Sequence, residues 1–351
     1  MAVAELQTQT RDLDAEIDAL GPKPGDDIHV SGHAVIARLY ATLRLHDLVP
    51  DRLAMRIAQG VGWLRWYWPP ARRRAIARLS LTVAGTRREG EERKLARKEL
   101  SIQAMRTELN WRGRLGDRAH VEGLEHLERV RGSGRPLLLT GVHVGGGLTN
   151  VISQRGFPFA TPAGEWLDPN AKIERRGYGA HYARLCVLWA VERGVRYVYM
   201  GGAYPVLRRL LERGETCWVM SDVPGSMRTR MAGKPACVAS GPAMLADDTG
   251  AVVVPVVGTI HVDGPHVQVL EPIDPRTLSG PQEMVDRLAA IFGEQMVRHP
   301  EQVEPAGFMK GVFAEDGQRY PYELWQPPAL RTQAKRAALR AIGLARQQLG
   351  A

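Results

Sequence analysis

The sequence has few cysteines, no long apolar run and no export signal. Its three cysteines, Cys186, Cys217 and Cys237, are far apart and have no paired spacing, which excludes a disulfide framework and predicts free, buried thiols. The longest apolar runs, such as residues 251–260, are well short of the roughly 18 residues of a membrane-spanning helix. Because the first twenty residues are too polar for a signal peptide, we expect the protein to stay in the cytoplasm.

Several catalytic and binding motifs are also absent. Without a Gly-x-Ser-x-Gly sequence the chain is not expected to be a serine hydrolase. The lack of both Gly-x-Gly-x-x-Gly and Gly-x-x-x-x-Gly-Lys-Ser/Thr gives dinucleotide and nucleotide phosphate loops little support. No His-x-x-x-His pair or His/Cys cluster occurs among His181, His261, His266 and His299, so we predict no metal site.

Positive charge is in excess and unevenly distributed. The formal net charge is +9, with basic clusters at residues 72–98 and in the acid-free tail after residue 329. Such a charge attracts nucleic acid, an anionic lipid surface or an acidic carrier protein. Residues 63–74 interleave tryptophan with arginine, which suits a membrane interface, although a partly buried helix end with a solvated basic flank explains the segment equally well. Since no nucleic-acid reading motif accompanies these residues, we expect no nucleic-acid partner.

The spacing of apolar residues predicts an α/β fold. Residues 1–115 show helical periodicity, and after Pro136 short apolar runs alternate with helical stretches. The predicted strands are 137–142, 157–161, 196–200, 216–221, 236–239, 252–257 and 267–270, and the predicted helices of this part are 171–192, 204–213, 242–249 and 280–298. This pattern indicates a mixed, mostly parallel central sheet flanked by helices, and the turn at residues 262–265 is expected to join two late antiparallel strands. We divide the chain into a helical N-terminal region packed on the core (1–115), an α/β core (116–328) and a basic C-terminal helix (329–351).

One predicted strand runs directly into a histidine and three glycines. The sequence from Leu137 reads Leu-Leu-Leu-Thr-Gly-Val-His143-Val-Gly-Gly-Gly147-Leu148. Loops after strands are where α/β proteins place their chemistry, histidine can accept a proton near neutral pH, and glycines let a ligand approach the backbone. A structural, hydrogen-bonded histidine is the alternative, but the glycines favour catalysis.

A second segment places an aspartate at a strand end. Residues 207–214 form an amphipathic helix ended by Gly214, a hydrophobic strand follows, and Asp222 comes at its carboxyl end. An aspartate there can orient a catalytic group or cap the next turn, and the residues alone leave both open.

Taken together, these segments resemble the bacterial lipid A biosynthesis acyltransferases and their relatives, the phosphatidylinositol mannoside acyltransferases. The resemblance covers roughly residues 30–315. His143 begins the family's His-x-x-x-x-Asp/Glu motif, and residues 207–222 are similar to its leucine-rich helix, strand and terminal aspartate. Residues 233–255 and the closing helix with Pro300-Glu301-Gln302 are similar to the family's later blocks.

The resemblance implies a glycerolipid-acyltransferase-like fold and transfer of an acyl group from a thioester on acyl carrier protein or coenzyme A to a hydroxyl or amine. It implies His143 as general base and no resident cofactor, the thioester on phosphopantetheine or coenzyme A being a co-substrate. Gly145, Gly146 and Gly147 would stabilise the oxyanion and contact substrate. Arg193 is the possible counterpart of the family's arginine, with Arg175 and Arg176 as competitors.

The chain departs from the family at the acid of its motif. Leu148 occupies the position five residues after His143, so another acceptor must orient the imidazole. The candidates are Glu165, Asp168, Glu215 and Asp222, of which Asp222 is the first choice; Glu215 is also assigned to substrate binding.

Two other functions stay open. The chain could act on a small acceptor bound to a carrier protein in natural-product biosynthesis, or it could be a non-catalytic protein that binds carrier protein or lipid. In the leading hypothesis it is a cytoplasmic acyltransferase that can associate with the inner face of the cell membrane.

Overall fold

Three helices lead into the sheet. The computed structural model describes residues 48–112, 114–145, 148, 150–163, 190–199, 203–303 and 312–313. Helix α1 (Asp51–Leu64) continues through a 3-10 turn (Arg65–Tyr67) into α2 (Pro69–Val83), whose prolines occupy the first helical turn, where a missing N–H costs nothing. Helix α3 (Glu92–Trp111) crosses α1 at Gly62, where an added Cβ would lie 2.4 Å from the Leu100 carbonyl oxygen.

The elements that follow alternate between helix and strand. In chain order they are α4 (Arg114–Asp117), β1 (His120–Glu122), α5 (Leu124–Gly132), β2 (Leu137–Gly141), α6 (Asn150–Gln154), β3 (Ala160–Ala163), β4 (Arg196–Tyr199), α7 (Ala203–Glu212), β5 (Cys217–Met220), β6 (Pro224–Met231), β7 (Lys234–Val238), α8 (Gly241–Thr249), β8 (Val252–His261), β9 (Gly264–Val269) and α9 (Pro281–Arg298). Short 3-10 turns occupy Pro275–Thr277 and Pro300–Gln302.

Seven of the strands form one sheet in the order β1-β9-β8-β2-β5-β3-β4. Only the β8–β9 pair among the strands of this sheet is antiparallel, and its two strands are joined across Val262 and Asp263. Strands β6 and β7 make a separate antiparallel hairpin. The mixed, mostly parallel sheet with flanking helices confirms the predicted fold class, and the late hairpin lies where the turn was expected.

Strand β2 is buried on both faces because helices cover both sides of the sheet. Leu138 packs with buried residues of α7, α8 and α9, whereas Leu137 and Leu139 pack with those of α3 and α5. Burial on both faces explains why the strand is a continuous apolar run rather than an alternating one. The site therefore starts from a rigid strand at the centre of the sheet.

Parts of the predictions lie outside the described residues. These are the helix at 171–192 apart from its last residues, the N-terminal 47 residues, the basic C-terminal helix, and the side chains of Glu165, Asp168, Arg175, Arg176, His181 and Cys186. The division into three parts stays a prediction. Across the described ranges, no helix combines the length and apolar character needed to cross a membrane.

Candidate active site

The loop after β2 is held in place by backbone contacts. Val144 forms an isolated antiparallel bridge with Val303, and the N–H of Gly145 donates to the carbonyl of Gln302 at 2.9 Å. Gly145 has a φ of +73°, and a Cβ there would lie 2.3 Å from the carbonyl oxygen of Gly258. Because only glycine tolerates both this φ and this approach, the loop backbone dictates the residue type. Gly146 and Gly147 lie outside the described residues.

Strand β5 brings Asp222 beside this loop. The strand pairs with β2 in parallel register, with Gly141 opposite Met220, and the N–H of Ser221 donates to the Gly141 carbonyl at 2.8 Å. The hydroxyls of Thr140 and Ser221 are 2.6 Å apart and join the two strand ends a second time. The carboxyl ends of parallel neighbours meet at one sheet edge, so the residues that follow both strands come together there.

His143 and Asp222 are joined by two hydrogen bonds. Nδ1 of His143 lies 2.7 Å from Oδ1 of Asp222, and the backbone N–H of His143 donates to Oδ2, also at 2.7 Å. Asp222 is fully buried, whereas the His143 side chain is 21% exposed. A carboxylate only accepts hydrogen bonds, so Nδ1 carries the proton and Nε2 holds the lone pair of the neutral ring. The pair thus has the orientation that a general base requires.

Leu148 does not share this environment. Its side chain is buried in the core cluster that includes Val254 and Val256, and it packs directly against Gly258, where an added Cβ would lie 2.7 Å from Leu148 Cδ1. The position that holds an acid in the resembling family is therefore a core position in this chain. Among the four candidate acids, Asp222 is the one that the described structure brings to His143.

Arg193 and Glu215 are not brought to His143. Both precede their strands, β4 and β5, and so lie at the amino edge of a sheet whose carboxyl edge holds His143. Arg193 pairs with Asp117 at 3.5 Å, and Glu215 pairs with Arg196 and, at 3.0 Å, with Arg213. Their positions do not support the catalytic and substrate-binding roles assigned from the sequence.

Gln302 is a site residue that sequence reasoning missed. Its buried side chain accepts a hydrogen bond from the Ile260 N–H at 3.2 Å and donates to the Ile260 carbonyl at 2.9 Å. Its own carbonyl accepts from Gly145 and, at 3.1 Å, from Nη2 of Arg106. Gln302 thus ties the His143 loop to β8 and to α3. The Pro-Glu-Gln sequence was the available signal, but it indicated only where the closing helix ends.

Three other titratable groups among the described residues, His261, His299 and Cys217, have shifted pKa values. Burial lowers the pKa of His261 and of His299, which favours their neutral forms at pH 7. Burial raises the pKa of the Cys217 thiol to about 12, so this cysteine is not a thiolate nucleophile. Within the described ranges, no group of three or more His, Cys, Asp or Glu side chains is arranged to hold a metal ion.

Comparisons with known proteins show little close similarity. No protein-family model matches the sequence, and no curated protein matches it. Among solved structures, the chain is similar to the 1-acyl-sn-glycerophosphate (LPA) acyltransferase PlsC from Thermotoga maritima, with a TM-score of 0.34 and 18% sequence identity. The similarity covers 69% of this chain and 97% of that chain. A likeness of this extent carries no functional conclusion.

Proposed function

We propose that this protein is an acyltransferase that moves an acyl group from a thioester donor to a hydroxyl or amine, with His143 as general base. The observation that carries the proposal is the pair of hydrogen bonds between His143 and the fully buried Asp222. A buried carboxylate bound to one imidazole nitrogen fixes the ring and stabilises the imidazolium that forms during proton transfer.

The chemistry follows from this orientation. Nε2 of His143 removes the proton of the acceptor hydroxyl or amine while its oxygen or nitrogen attacks the thioester carbonyl. The C–S bond of the tetrahedral intermediate then breaks, and the imidazolium returns its proton to the departing thiolate. The Gly145 N–H is already bonded to the Gln302 carbonyl, so this amide does not serve as the oxyanion contact. The proposed chemistry is the same whether the acyl donor is acyl carrier protein or coenzyme A.

The non-catalytic alternative is less well supported. Its main argument was the missing acid at Leu148, and Asp222 supplies a carboxylate at hydrogen-bond distance. Transfer to a small acceptor bound to a carrier protein is the second version of the same chemistry, since the described residues around His143 do not distinguish a lipid from a small acceptor.

Helix α1 and the turn after it support a membrane surface as an additional partner. Leu53, Ile57, Val61 and Leu64 recur on one face of α1 and are 49–60% exposed, and Trp68 beyond the turn is 64% exposed. Residues 52–88 contain nine arginines and no acidic residue. An exposed apolar helix face with tryptophan and arginine at its border suits the interface of an anionic bilayer. We therefore propose peripheral association with anionic lipid through this apolar face of α1.

The proposed chemistry is tested by removing each member of the pair. We expect His143→Ala to abolish transfer and Asp222→Asn, which leaves an amide beside Nδ1, to lower kcat roughly 10²–10⁴-fold. The assay follows thiol release and product mass with acyl-coenzyme A and acyl carrier protein donors, each offered lysophospholipid and carrier-bound amine acceptors.

Asp286→Asn is the matched control, because Asp286 lies on the surface of α9 and bonds Thr229. It should retain activity. Wild-type turnover in His143→Ala, with unchanged circular dichroism, would remove His143 from the mechanism.

A further inference from the structure

A broad groove lies between α1, α3 and the β8–β9 hairpin, outside the His143–Asp222 pair. Its volume is about 1120 Å³. Five cationic side chains line it: Arg56 from α1 and Arg93, Lys94, Arg97 and Lys98 from α3. Asp263 and Glu301 are its two acids, so positive charge is in excess. The groove therefore has a positive potential that favours an anionic ligand.

The placement of the α3 cations is unfavourable for the helix itself. Arg93 and Arg97, and likewise Lys94 and Lys98, are like-charge pairs four residues apart, which destabilise a helix. All four lie in the first two turns, at the positive end of the helix dipole. A bound anion would relieve both forms of repulsion, since it interacts favourably with the cations and with the helix terminus.

The described ion pairs leave most of this charge uncompensated. Lys98 approaches Glu301 at only 4.0 Å, and Lys94 approaches Glu91 at 3.8 Å. The Arg97 guanidinium lies over the Trp63 ring, 4.5 Å from its centroid, and its buried Nε has no hydrogen-bond partner among the described residues. A guanidinium over an aromatic ring keeps the N–H donors of its own plane available, and two of these suit two oxygens of one phosphate.

The groove is connected to the His143 loop through Gln302. Gln302 lines the groove, and its carbonyl accepts the N–H of Gly145, two residues after His143. Glu301 also lines the groove, and its carboxylate repels an anion, which favours anion binding beside the arginines Arg93 and Arg97. A ligand with its phosphate beside these arginines and its reactive group toward Gln302 fits this arrangement.

We propose that this groove is a binding site for a phosphate ester, held by Arg93 and Arg97 of α3 with Arg56 opposite on α1. The proposal rests on the proposed function, because acyl-phosphopantetheine, acyl-coenzyme A and lysophospholipid all carry such a phosphate. The shared ligand chemistry is the phosphate ester; its source is either the pantetheine arm of the donor or a lipid acceptor.

The test uses probes that differ only in the phosphate. Calorimetric titration of the full chain compares 4′-phosphopantetheine with pantetheine, and dihexanoyl phosphatidate with dihexanoylglycerol, in monomeric solution so that membrane binding plays no part. We expect the phosphate-bearing member of one pair to bind more tightly, with an affinity that falls as salt is raised. In Arg93→Gln/Arg97→Gln this advantage should fall roughly tenfold or more.

Two variants provide the controls. Arg228→Gln/Arg230→Gln removes two arginines from the exposed strand β6 and should bind as wild type. His143→Ala should also bind the phosphate-bearing probes with wild-type affinity. A wrong assignment of the phosphate site and a wrong assignment of the general base therefore give different results. If the double variant of α3 does not fold, Arg93→Gln alone serves, because Arg93 is exposed on the helix surface.

The binding measurements on the α3 variants show whether the groove binds a phosphate ester and which molecule carries it. Selective loss of phosphopantetheine binding supports the donor arm, and selective loss of phosphatidate binding supports a lipid acceptor. Equal binding of both members of each pair to the wild type, or undiminished binding to the α3 variants, would overturn the site.

Discussion

At the scale of one residue, Leu148 shows that the fifth position after His143 is a core position in this chain. Its side chain fills space against Gly258 in the hydrophobic core, and Asp222 occupies the position beside Nδ1 of His143. A carboxylate introduced at position 148 would be buried among apolar groups. The absence of an acid from the loop and the presence of Asp222 after β5 are consistent with one another.

We therefore predict that Leu148→Asp, although it completes the family motif, does not restore activity to Asp222→Asn. It should instead lower the free energy of unfolding by about 3–5 kcal/mol, because it removes core packing and buries an unpaired polar group. Urea unfolding measures the loss, and Leu148→Met, which keeps the apolar volume, should cost less than about 1.5 kcal/mol. Rescue of Asp222→Asn by Leu148→Asp would show that the loop can still present an acid to His143.

At the scale of elements, the site depends on the loop that joins β2 to α6. Gly145 combines a left-handed φ with close approach to Gly258, and its N–H is bonded to Gln302. Gly156, after α6, has a similar φ of +84° but nothing within 4 Å of an added Cβ. Substituting each glycine by alanine therefore separates the effect of backbone strain, present at both positions, from that of steric contact, present only at Gly145.

Gly156→Ala should lower stability by about 1–2 kcal/mol through strain alone, and leave activity intact. Gly145→Ala should cost more in stability and should abolish transfer, since the loop must move away from β8 and takes His143 with it. Thermal unfolding and the transfer assay on both variants check this. Equal stability and equal activity in the two variants would mean that the Gly145–Gly258 contact does not hold the loop.

The elements also show what the sequence could predict. Strands with continuous apolar runs, such as β2, β5 and β8, were placed within a few residues of their observed bounds, because burial on both faces leaves a clear pattern. Strands β1 and β6 were missed: the first is three residues long, and the second is exposed along most of its length.

Strand direction indicates which candidate residues lie beside His143. Asp222 follows its strand and lies at the carboxyl edge with His143, whereas Arg193 and Glu215 precede theirs and lie at the opposite edge. Gln302 was not predictable, because its role depends on two long-range contacts, to Ile260 and to Gly145, that no local pattern encodes.

At the scale of the whole molecule, positive charge and exposed apolar area occur together on the N-terminal helices. The apolar row on α1 from Leu53 to Leu64 is exposed, and it lies within the acid-free sequence 52–88. Binding to anionic lipid should therefore combine an apolar contribution with a salt-sensitive electrostatic one.

We predict that the protein sediments with phosphatidylglycerol vesicles and much less with phosphatidylcholine vesicles. Ile57→Ser/Leu64→Ser should weaken binding to both, because these side chains supply the apolar contact, while added salt should weaken only the anionic case. The control is Arg228→Gln on the exposed strand β6. Leu270→Ser is not suitable, because the Leu270 side chain packs on the core. Unchanged sedimentation of the α1 variant would exclude this helix as the contact.

His143 and Asp222 follow two different strands, so the distance between them depends on the register in which those strands pair. The two residues are 79 positions apart in the chain and meet only when β2 and β5 pair with Gly141 opposite Met220. A slip of one residue would displace Asp222 by about 3.3 Å and turn its side chain to the other face. Catalytic competence would then appear only after the central strands have assembled correctly, so recovery of activity during refolding would time that step.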